Sequence, residues 1–350
     1  MIKTIGVLTS GGDAPGMNAA VRAVTRAGIA QGLEVKVIYR GYKGLIDGEV
    51  KTFTTQDVSG IIPRGGTIIK SARCLEFKEP EGRKQAYETL QREHIDALIV
   101  IGGDGTFTGG RAFAQEYDVP VIGIPGTIDN DLWGTDMTFG FQSAVDVATQ
   151  VIDNIHTTAD SHGRVFIIEV MGHKVGWLTL NAGMAGGADV ILIPEIPYDI
   201  DKICEAIEAR DKRGSRFTII AVAEGAISKK DAKLSKKEYK EKMANYKYPS
   251  VSYEIAEAIQ NKTGHEVRVT VPGHMQRGGA PDPYDRVFAS RLGAEAGKLI
   301  LKKEYGFMVA YKNREIVKVP LGEIAGKLKY VSPDASIIKE AKMLGVCFGD

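Results

Sequence analysis

Two short apolar stretches end in turns whose residues suit phosphate chemistry. The first is IVIGGDGTFTGG, Ile99 to Gly110, and the second is VIGIPGTIDNDL, Val121 to Leu132. Each is expected to form a strand and a turn, with a helix after the first turn. Backbone N–H groups at Gly102, Gly103 and Gly105 can then face an anion at the N-terminus of that helix.

Two carboxylates follow the second strand. Asp129 and Asp131 are expected beyond the carboxyl end of their strand, which is where open α/β sheets gather their ligands. Two carboxylates repel a bare polyphosphate, so they fit a phosphate site only if a cation or a proton transfer is involved. Together the two turns predict a phosphoryl-transfer centre.

The composition indicates a protein that is neither secreted nor embedded in a membrane. The chain has 350 residues, 43% of them hydrophobic and 25% charged, a length that favours two domains. Its 41 glycines, many of them in turns after apolar runs, favour an α/β enzyme, and its net charge of +1 gives no reason to expect nucleic acid or a membrane as partner. No apolar run approaches ~18 residues, and the start MIKTIGVLTS lacks the regions of a signal peptide.

The cysteines point to a reducing compartment. Cys74, Cys204 and Cys347 are scattered, and their spacing predicts neither a disulfide framework nor a metal site. We therefore expect a cytoplasmic protein.

The apolar runs predict strands that alternate with helices, so that neighbouring strands are parallel. In chain order, we expect strands near 4–10, 97–101, 119–124, 165–170 and 189–193, helices near 83–94, 107–116, 140–156 and 250–262, and a tail of one strand, a polar turn and a closing helix. The segment LEVKVIYRGYKGL is expected to be a strand and a turn. The lysine-rich segment 228–248 is interpreted as a solvated helical insertion, because its mixed acids and missing arginines argue against nucleic-acid binding.

Several further positions permit both a functional and a structural interpretation. Gly12 could admit a nucleotide or simply make a tight turn, and Arg73 could bind phosphate oxygens or be an ordinary solvated side chain. Met171 and His173 follow a strand, where methionine usually packs in a core and histidine is usually a satisfied polar residue. Glu224, also after a strand, could be a site carboxylate or a loop acid.

Six motifs together resemble the 6-phosphofructokinase family. They are TSGGDAPGMNAAVR, GGDGT, PGTIDND, EVMG, AEG and GHMQRGG, and the resemblance runs from about Met1 to Lys303. It implies ATP-dependent phosphorylation of fructose 6-phosphate to fructose 1,6-bisphosphate, a step of glycolysis, with Mg²⁺. It also implies a homotetramer or homodimer.

The family fold implies two three-layer Rossmann-like α/β domains with mostly parallel sheets and an active site in the cleft between them. The larger, nucleotide-binding domain would comprise 1–140 plus about 276–326. The smaller, sugar-phosphate-binding domain would comprise 141–275 plus about 327–350, including the insertion.

The resemblance also assigns residues. Asp129 matches the general base that takes the proton of the sugar's 1-hydroxyl, Thr127 would bind the transferring group, and Asp131 would support the base. Asp104 would hold Mg²⁺, which with Arg73 would stabilise the transferring charge. The nucleotide side would be formed by Gly12, Tyr42, Arg73, Cys74, Lys78, Arg83, Gly103, Asp104, Gly105 and Thr106, of which Gly12 and Arg73 also count as catalytic.

Fructose 6-phosphate would be held by residues of two subunits. One subunit would supply Met171, Gly172, His173, Glu224, His274 and Arg277. Arg164 and Arg268 would reach the 6-phosphate from a neighbouring subunit.

Two glycines favour ATP as the donor. Pyrophosphate-using relatives typically carry an acid at the position of Gly105, which would fill and repel the space of an α-phosphate and nucleoside. They carry a lysine at the position of Gly126, which would bind pyrophosphate. Pyrophosphate dependence nevertheless stays open as an alternative.

Three departures from the common bacterial pattern are present. His173 replaces an arginine near the transferring phosphate, which keeps open a second alternative, a catalytically weak sugar-phosphate or nucleotide sensor. The insertion is longer than usual. At the effector site Arg22, Arg26 and Arg213 match, but Thr55, His156, Asp189, Ser215 and Phe217 do not, so we predict weak or absent regulation by ADP and phosphoenolpyruvate.

Overall fold

A computed structural model of the chain describes residues 2–350, and the chain divides into two compact units. Unit 1 comprises Met1–Ser143 and Arg277–Lys329, and unit 2 comprises Ala144–Gln276 and Tyr330–Asp350. The chain therefore passes from one unit to the other directly after Ser143, Gln276 and Lys329.

The strands and helices alternate along most of the chain. The strands are β1 Thr4–Thr9, β2 Glu34–Ile38, β3 Val50–Phe53, β4 Ala97–Gly102, β5 Val121–Pro125, β6 Val165–Val170, β7 Val190–Leu192, β8 Thr218–Ala223, β9 Val267–Thr270, β10 Phe307–Lys312 and β11 Glu315–Pro320. The helices are α1 Met17–Ala30, α2 Gly41–Asp47, α3 Pro80–Arg92, α4 Asp104–Tyr117, α5 Phe141–His162, α6 Trp177–Ala185, α7 Ile200–Lys212, α8 Lys236–Ala244, α9 Val251–Thr263, α10 Pro283–Leu301, α11 Leu321–Ile324 and α12 Ser336–Met343. Short 3₁₀ helices occupy Glu76–Lys78, Asp231–Lys233 and Gly273–Arg277.

The sheet of unit 1 has seven strands in the order β11-β10-β5-β4-β1-β2-β3. Its inner pairs are parallel, and only the edge strands β3 and β11 pair antiparallel. Every residue of β1, β4 and β5 is buried, as expected when helices cover both faces of a parallel sheet. The turns that follow β1, β4 and β5 therefore meet at one edge of this sheet.

The sheet of unit 2 has four parallel strands in the order β7-β8-β6-β9. Its core is formed by the apolar residues of these strands and by helices such as α7 and α9, which contribute Ile203, Ile207, Ile255 and Ile259. The α/β class with mostly parallel sheets is thus confirmed.

Some predicted elements were wrong. The tail contains the antiparallel hairpin β10–β11 in place of one strand, and the segment predicted as a turn after β2 contains α2. A helix without buried residues is confirmed within the lysine-rich segment: α8, Lys236–Ala244, begins with a capping box between Ser235 and Glu238. Between residues 2 and 350, no helix is both long and apolar enough to cross a membrane.

Candidate active site

The turns after β1 and β4 are linked through Thr106. Its hydroxyl donates a hydrogen bond to the Ser10 carbonyl at 3.1 Å, and its own carbonyl accepts one from the Tyr42 hydroxyl at 2.7 Å. A Cβ at Gly102 would lie 2.4 Å from the Ser10 oxygen, so only glycine permits this approach. The sequence Gly102 to Thr106 thereby places the N-terminus of α4 at the carboxyl edge of the sheet, with N–H groups suited to an anion.

Gly105 is the open position of this loop. It is exposed, and a Cβ built on it would have no heavy atom within 4 Å. The fold of the described chain therefore leaves space above this residue.

Gly12 lies beside the guanidinium of Arg277. A Cβ at Gly12 would approach the Arg277 Nη1 to 2.8 Å, and the same Nη1 donates to the Asp13 carbonyl at 3.3 Å. The turn after β1 thus brings an arginine predicted to bind the sugar phosphate next to a glycine predicted to face the nucleotide.

The loop after β5, Gly126 to Asp131, is buried. Thr127, Asp129 and Asp131 are only 7%, 8% and 7% exposed. The Thr127 hydroxyl accepts from the Asp129 backbone N–H at 3.3 Å and donates to Asp129 Oδ2 at 3.5 Å. The carboxylate of Asp129 is therefore oriented by its own loop.

Charges converge on Asp131. Burial raises the pKa of its carboxyl, and the negative charge of Asp104 raises this pKa further, whereas Lys329 and Arg277 lower it. A cation bound near Asp104 and Asp131 would relieve this repulsion.

Asp104 begins α4, and its Oδ1 accepts a hydrogen bond from the Gly326 N–H at 2.7 Å. Within residues 2–350 no cluster of three or more histidine, cysteine, aspartate or glutamate side chains could hold a metal ion. Mg²⁺ does not need such a cluster, because it is commonly bound by one or two carboxylates together with substrate phosphates and water. The donor set therefore fits Mg²⁺ bound with a polyphosphate.

Gly126, unlike Gly105, has no space for a side chain. A Cβ on Gly126 would lie 2.3 Å from Cζ of Phe139, whose ring is fully buried. Any side chain at this position must displace that ring.

The basic loop 64–73 is anchored to the start of α1 and to the turn after β1. Buried Asn18 donates to the Arg64 carbonyl at 2.9 Å and accepts from the Ile68 N–H at 2.7 Å. The Ser71 hydroxyl donates to the Gly11 carbonyl at 2.8 Å. Arg73 lies two residues beyond this anchor with an exposed side chain.

Other predicted nucleotide residues have structural contacts of their own. Tyr42 is 4% exposed and stacks on Phe77 with ring centroids 3.9 Å apart, so it supports Thr106 from the core. Arg83 pairs with Glu116 and donates to the carbonyl of Lys78, whose own side chain is exposed. The half-buried Cys74 thiol donates to Glu76 at 3.4 Å.

In unit 2, Glu224 organises the turn after β6. Its Oε1 accepts from the N–H of Gly172 at 3.3 Å and from that of His173 at 2.7 Å. His173 adopts a left-handed conformation, φ 54°, that is uncommon for a residue other than glycine, and its side chain is exposed. Met171 is fixed by the fully buried Gln276, whose Oε1 accepts the Met171 N–H at 3.1 Å.

Met171, Gly172, His173 and Glu224 are therefore brought together, and the exposed His274 lies in the same short helix as Gln276. A cavity of about 460 Å³ opens beside Glu224 and His173, and Tyr239, Lys242 and Tyr246 of the insertion line it. The insertion thus shapes the surroundings of these residues.

Arg164 and Arg268 lie near the start of strand β6, at the opposite end of that strand from Met171. Arg164 precedes β6, and Arg268 pairs with Phe166 near the start of that strand, whereas Met171 follows the strand's end. At about 3.3 Å per residue, roughly 20 Å separates Arg164 from Met171. Both arginines pair with the carboxylate of Glu266.

Several residues of unit 2 that were predicted to match the effector site make contacts within the unit. Asp189 Oδ1 pairs with Arg210 at 2.6 Å, and its Oδ2 accepts from the Ile219 N–H at 2.8 Å. The Phe217 ring packs edge-on against His156, with centroids 5.7 Å apart. Arg213 donates to a carbonyl of α7.

Sequence reasoning missed Asn130, Phe139, Gln276 and Lys329. Asn130 and Gln276 lie within two of the quoted motifs, so the signal was present. Phe139 and Lys329 carry no such signal, because their importance comes from contacts with residues distant in sequence.

A helix N-terminus at the carboxyl edge of a buried parallel sheet, beside paired buried carboxylates, defines an α/β protein that handles phosphate. A family model described as phosphofructokinase matches residues 4–300. The chain therefore belongs to the phosphofructokinase family, as its motifs predicted.

Two bacterial relatives are similar over nearly their whole length, and a yeast structure is similar over about half of its length. The chain is 49% identical to an ATP-dependent 6-phosphofructokinase of Spirochaeta thermophila, over 99% of this chain and 98% of the relative. It is 47% identical to ATP-dependent 6-phosphofructokinase 1 of Thermus thermophilus, over 95% and 96%. A structure of phosphofructokinase from Saccharomyces cerevisiae matches with a TM-score of 0.82 at 38% identity, over 92% of this chain and 45% of that one.

A pyrophosphate-dependent phosphofructokinase structure from Nitrosospira multiformis matches with a TM-score of 0.83 at 19% identity, over 96% of this chain and 88% of that one. At this identity the likeness concerns the fold alone.

Proposed function

We propose that this protein transfers the γ-phosphoryl group of ATP to the 1-hydroxyl of fructose 6-phosphate, forming fructose 1,6-bisphosphate in glycolysis. One observation carries the proposal. At the carboxyl ends of the unit 1 strands, Gly105 has free space around it, and the buried carboxylates Asp129 and Asp131 follow the neighbouring strand. The names of the relatives at 45–49% identity support the same donor and acceptor.

In this proposal Asp129 is the general base. Its carboxylate orients the 1-hydroxyl and accepts its proton as the oxygen attacks the γ-phosphorus. The bond from the γ-phosphorus to the β,γ-bridging oxygen breaks, ADP leaves, and Thr127 binds the transferring group. Asp131, beside it and in the field of Asp104, supports the base. Gly12 permits close approach of the phosphates, and Arg73 stabilises their charge.

Asp104 would hold Mg²⁺, which when bound neutralises charge on the phosphates. The N–H groups at Gly103, Gly105 and Thr106 suit the phosphate oxygens. Lys78 supplies positive charge on the nucleotide side, while Tyr42, Cys74 and Arg83 support its walls. Unit 1 is thus proposed to bind the donor and carry out the chemistry.

Unit 2 is proposed to bind the sugar phosphate. Met171, Gly172 and Glu224 would contact the sugar, and His274 its phosphate. The family resemblance also assigns Arg277 to the sugar phosphate. His173 would meet the transferring group with an imidazole where bacterial relatives have a guanidinium. A cytoplasmic location completes the proposal.

An oligomer would explain how Arg164 and Arg268 could contact a sugar phosphate. Within one chain, these arginines and Met171 lie at opposite ends of the strands of one sheet. The arginines and Met171 of one chain therefore cannot contact the same sugar phosphate. If the arginines bind substrate, they do so in a neighbouring subunit's site, in a homotetramer or homodimer. Arg268→Ala should therefore raise KM for fructose 6-phosphate while leaving the KM for ATP unchanged.

The experiment that tests the proposal measures initial rates with fructose 6-phosphate and either Mg-ATP or Mg-pyrophosphate, in wild type and in Asp129→Ala. Turnover with ATP that Asp129→Ala abolishes supports it. Turnover with pyrophosphate alone would overturn the choice of donor. Binding of fructose 6-phosphate without turnover would favour the sensor suggested by His173.

A further inference from the structure

A short segment near the end of unit 1 contacts both loops of the candidate site. We call it the strap, Gly326–Lys329, which follows α11. The Gly326 N–H donates to Asp104 Oδ1 at 2.7 Å, and the Lys329 N–H donates to the Asp131 carbonyl at 2.7 Å. Between them, Leu328 forms an isolated antiparallel bridge with Leu132. The strap therefore fixes the metal-side aspartate and the catalytic loop relative to each other.

The side chain of Lys329 continues this contact. Its ammonium donates to Asn130 Oδ1, to the Thr135 carbonyl and to the Asp136 carbonyl, each at 2.9 Å. Three acceptors match the three donors of an ammonium group. A lysine used in this way is unusual, because lysines mostly keep their charge in solvent.

Asn130 is the residue that needs to be held. It has φ 50°, a left-handed conformation, and it lies directly between Asp129 and Asp131. Residues in such conformations persist when their surroundings fix them. Here Asn130 Oδ1 accepts from the Thr138 N–H at 3.1 Å as well as from Lys329, and its Nδ2 donates to the Asp136 carbonyl at 3.3 Å.

We propose that Lys329 is a positioning residue for phosphoryl transfer: by fixing Asn130 and the 135–136 turn, it holds the carboxylates of Asp129 and Asp131 in their working orientation. Lys329 acts through the loop and touches no substrate. The inference rests on the proposed function for the identity of the reaction, whereas the ordering of the loop is a separate physical effect.

The kinetic test compares Lys329→Met, Lys329→Arg and the matched control Lys327→Met, whose lysine is exposed on the same strap. Small displacements of a catalytic group can cost ~100-fold in rate, so Lys329→Met should lower kcat by about 10- to 100-fold. Because substrate contacts are kept, both KM values should stay within about threefold. Lys329→Arg, which retains charge and donors, should recover part of kcat, and Lys327→Met should match wild type.

Wild-type kcat in Lys329→Met, or an equal loss in Lys327→Met, would overturn the proposal. So would a rise in KM with kcat unchanged, which would mean that Lys329 contributes to binding. If Lys329→Met does not fold, Lys329→Gln, which keeps two donors, is measured against Lys327→Gln with the same criteria.

Amide hydrogen exchange separates this inference from the proposed function. Lys329→Met should lose protection at 127–136 relative to Lys327→Met, whatever the substrate is. Loss of protection in a protein that does not phosphorylate fructose 6-phosphate would contradict the function and uphold the positioning role. Unchanged protection in an active enzyme would contradict the positioning role alone.

Discussion

The loops after β4 and β5 are neighbours at one sheet edge, yet their glycines have opposite surroundings. Gly105 is exposed, and a Cβ at this position would meet no heavy atom within 4 Å, whereas a Cβ at Gly126 would lie 2.3 Å from the buried ring of Phe139. At position 105, the loop after β4 can therefore carry a side chain without changing the fold. At position 126, the loop after β5 cannot, because the buried ring of Phe139 fills that space and the residues that follow are buried and hydrogen-bonded.

This difference suggests how the two loops divide the work. An open loop at a helix N-terminus suits a ligand whose identity can vary, such as a phosphoryl donor. A buried, internally bonded loop suits a base that must keep one orientation. Substitutions in each loop and measurements with effectors test this division.

Asp129→Asn, in the loop after β5, should lower kcat more than any other change. The substitution keeps the shape but removes the base, so kcat should fall about 10²- to 10⁴-fold with little change in melting temperature. Asp153→Asn, at an exposed position of α5, is the control and should retain wild-type kcat. A loss of less than about threefold in Asp129→Asn would show that another group accepts the proton.

Gly126→Ala should destabilise the fold. Its methyl group overlaps Phe139, and overpacking of this kind costs about 1–3 kcal/mol of unfolding free energy, measurable by urea denaturation. The double variant Gly126→Ala/Phe139→Leu should be more stable than the sum of the two single changes predicts. Simple additivity would mean that the ring does not limit this position.

ADP and phosphoenolpyruvate should have the smallest effect, a change in half-saturation by fructose 6-phosphate that is close to none. Asp189 uses both carboxylate oxygens within unit 2, and Phe217 packs on His156, and these three residues lie at positions that the family resemblance assigns to the effector site. Rates measured against fructose 6-phosphate, with and without ADP or phosphoenolpyruvate, should therefore give half-saturation values that agree within about twofold. Sigmoidal inhibition by phosphoenolpyruvate would contradict this expectation.

Much of the fold could be predicted because buried parallel strands appear as continuous apolar runs. TIGVLT, ALIVIG and VIGIP are examples, and each is a fully buried strand. The hairpin β10–β11 was missed because YKNREIVKVP is mostly polar at an exposed sheet edge. The Gly-rich turns after β1, β4 and β5 were predicted because their residues are contiguous in sequence.

The rest of the candidate site depends on contacts that no local pattern reveals. The role of Lys329 arises from two backbone carbonyls and an amide nearly 200 residues earlier in the chain. Gln276 matters because its amide accepts the N–H of Met171. The sequence analysis interpreted Gly126 by the absence of a lysine. Only the structure shows that the ring of Phe139 fills the space that a side chain at this position would need.

Gly105→Asp, with Gly105→Ala as its uncharged control, tests whether the loop after β4 is open at the place where the donor is proposed to bind. Melting temperature and kcat/KM for ATP are measured on the same preparations. Both variants should melt at or above the wild-type temperature. Only Gly105→Asp should lose about 10- to 100-fold in kcat/KM, because its carboxylate repels the polyphosphate. Wild-type kcat/KM in Gly105→Asp, or destabilisation as large as in Gly126→Ala, would contradict an open donor site in this loop.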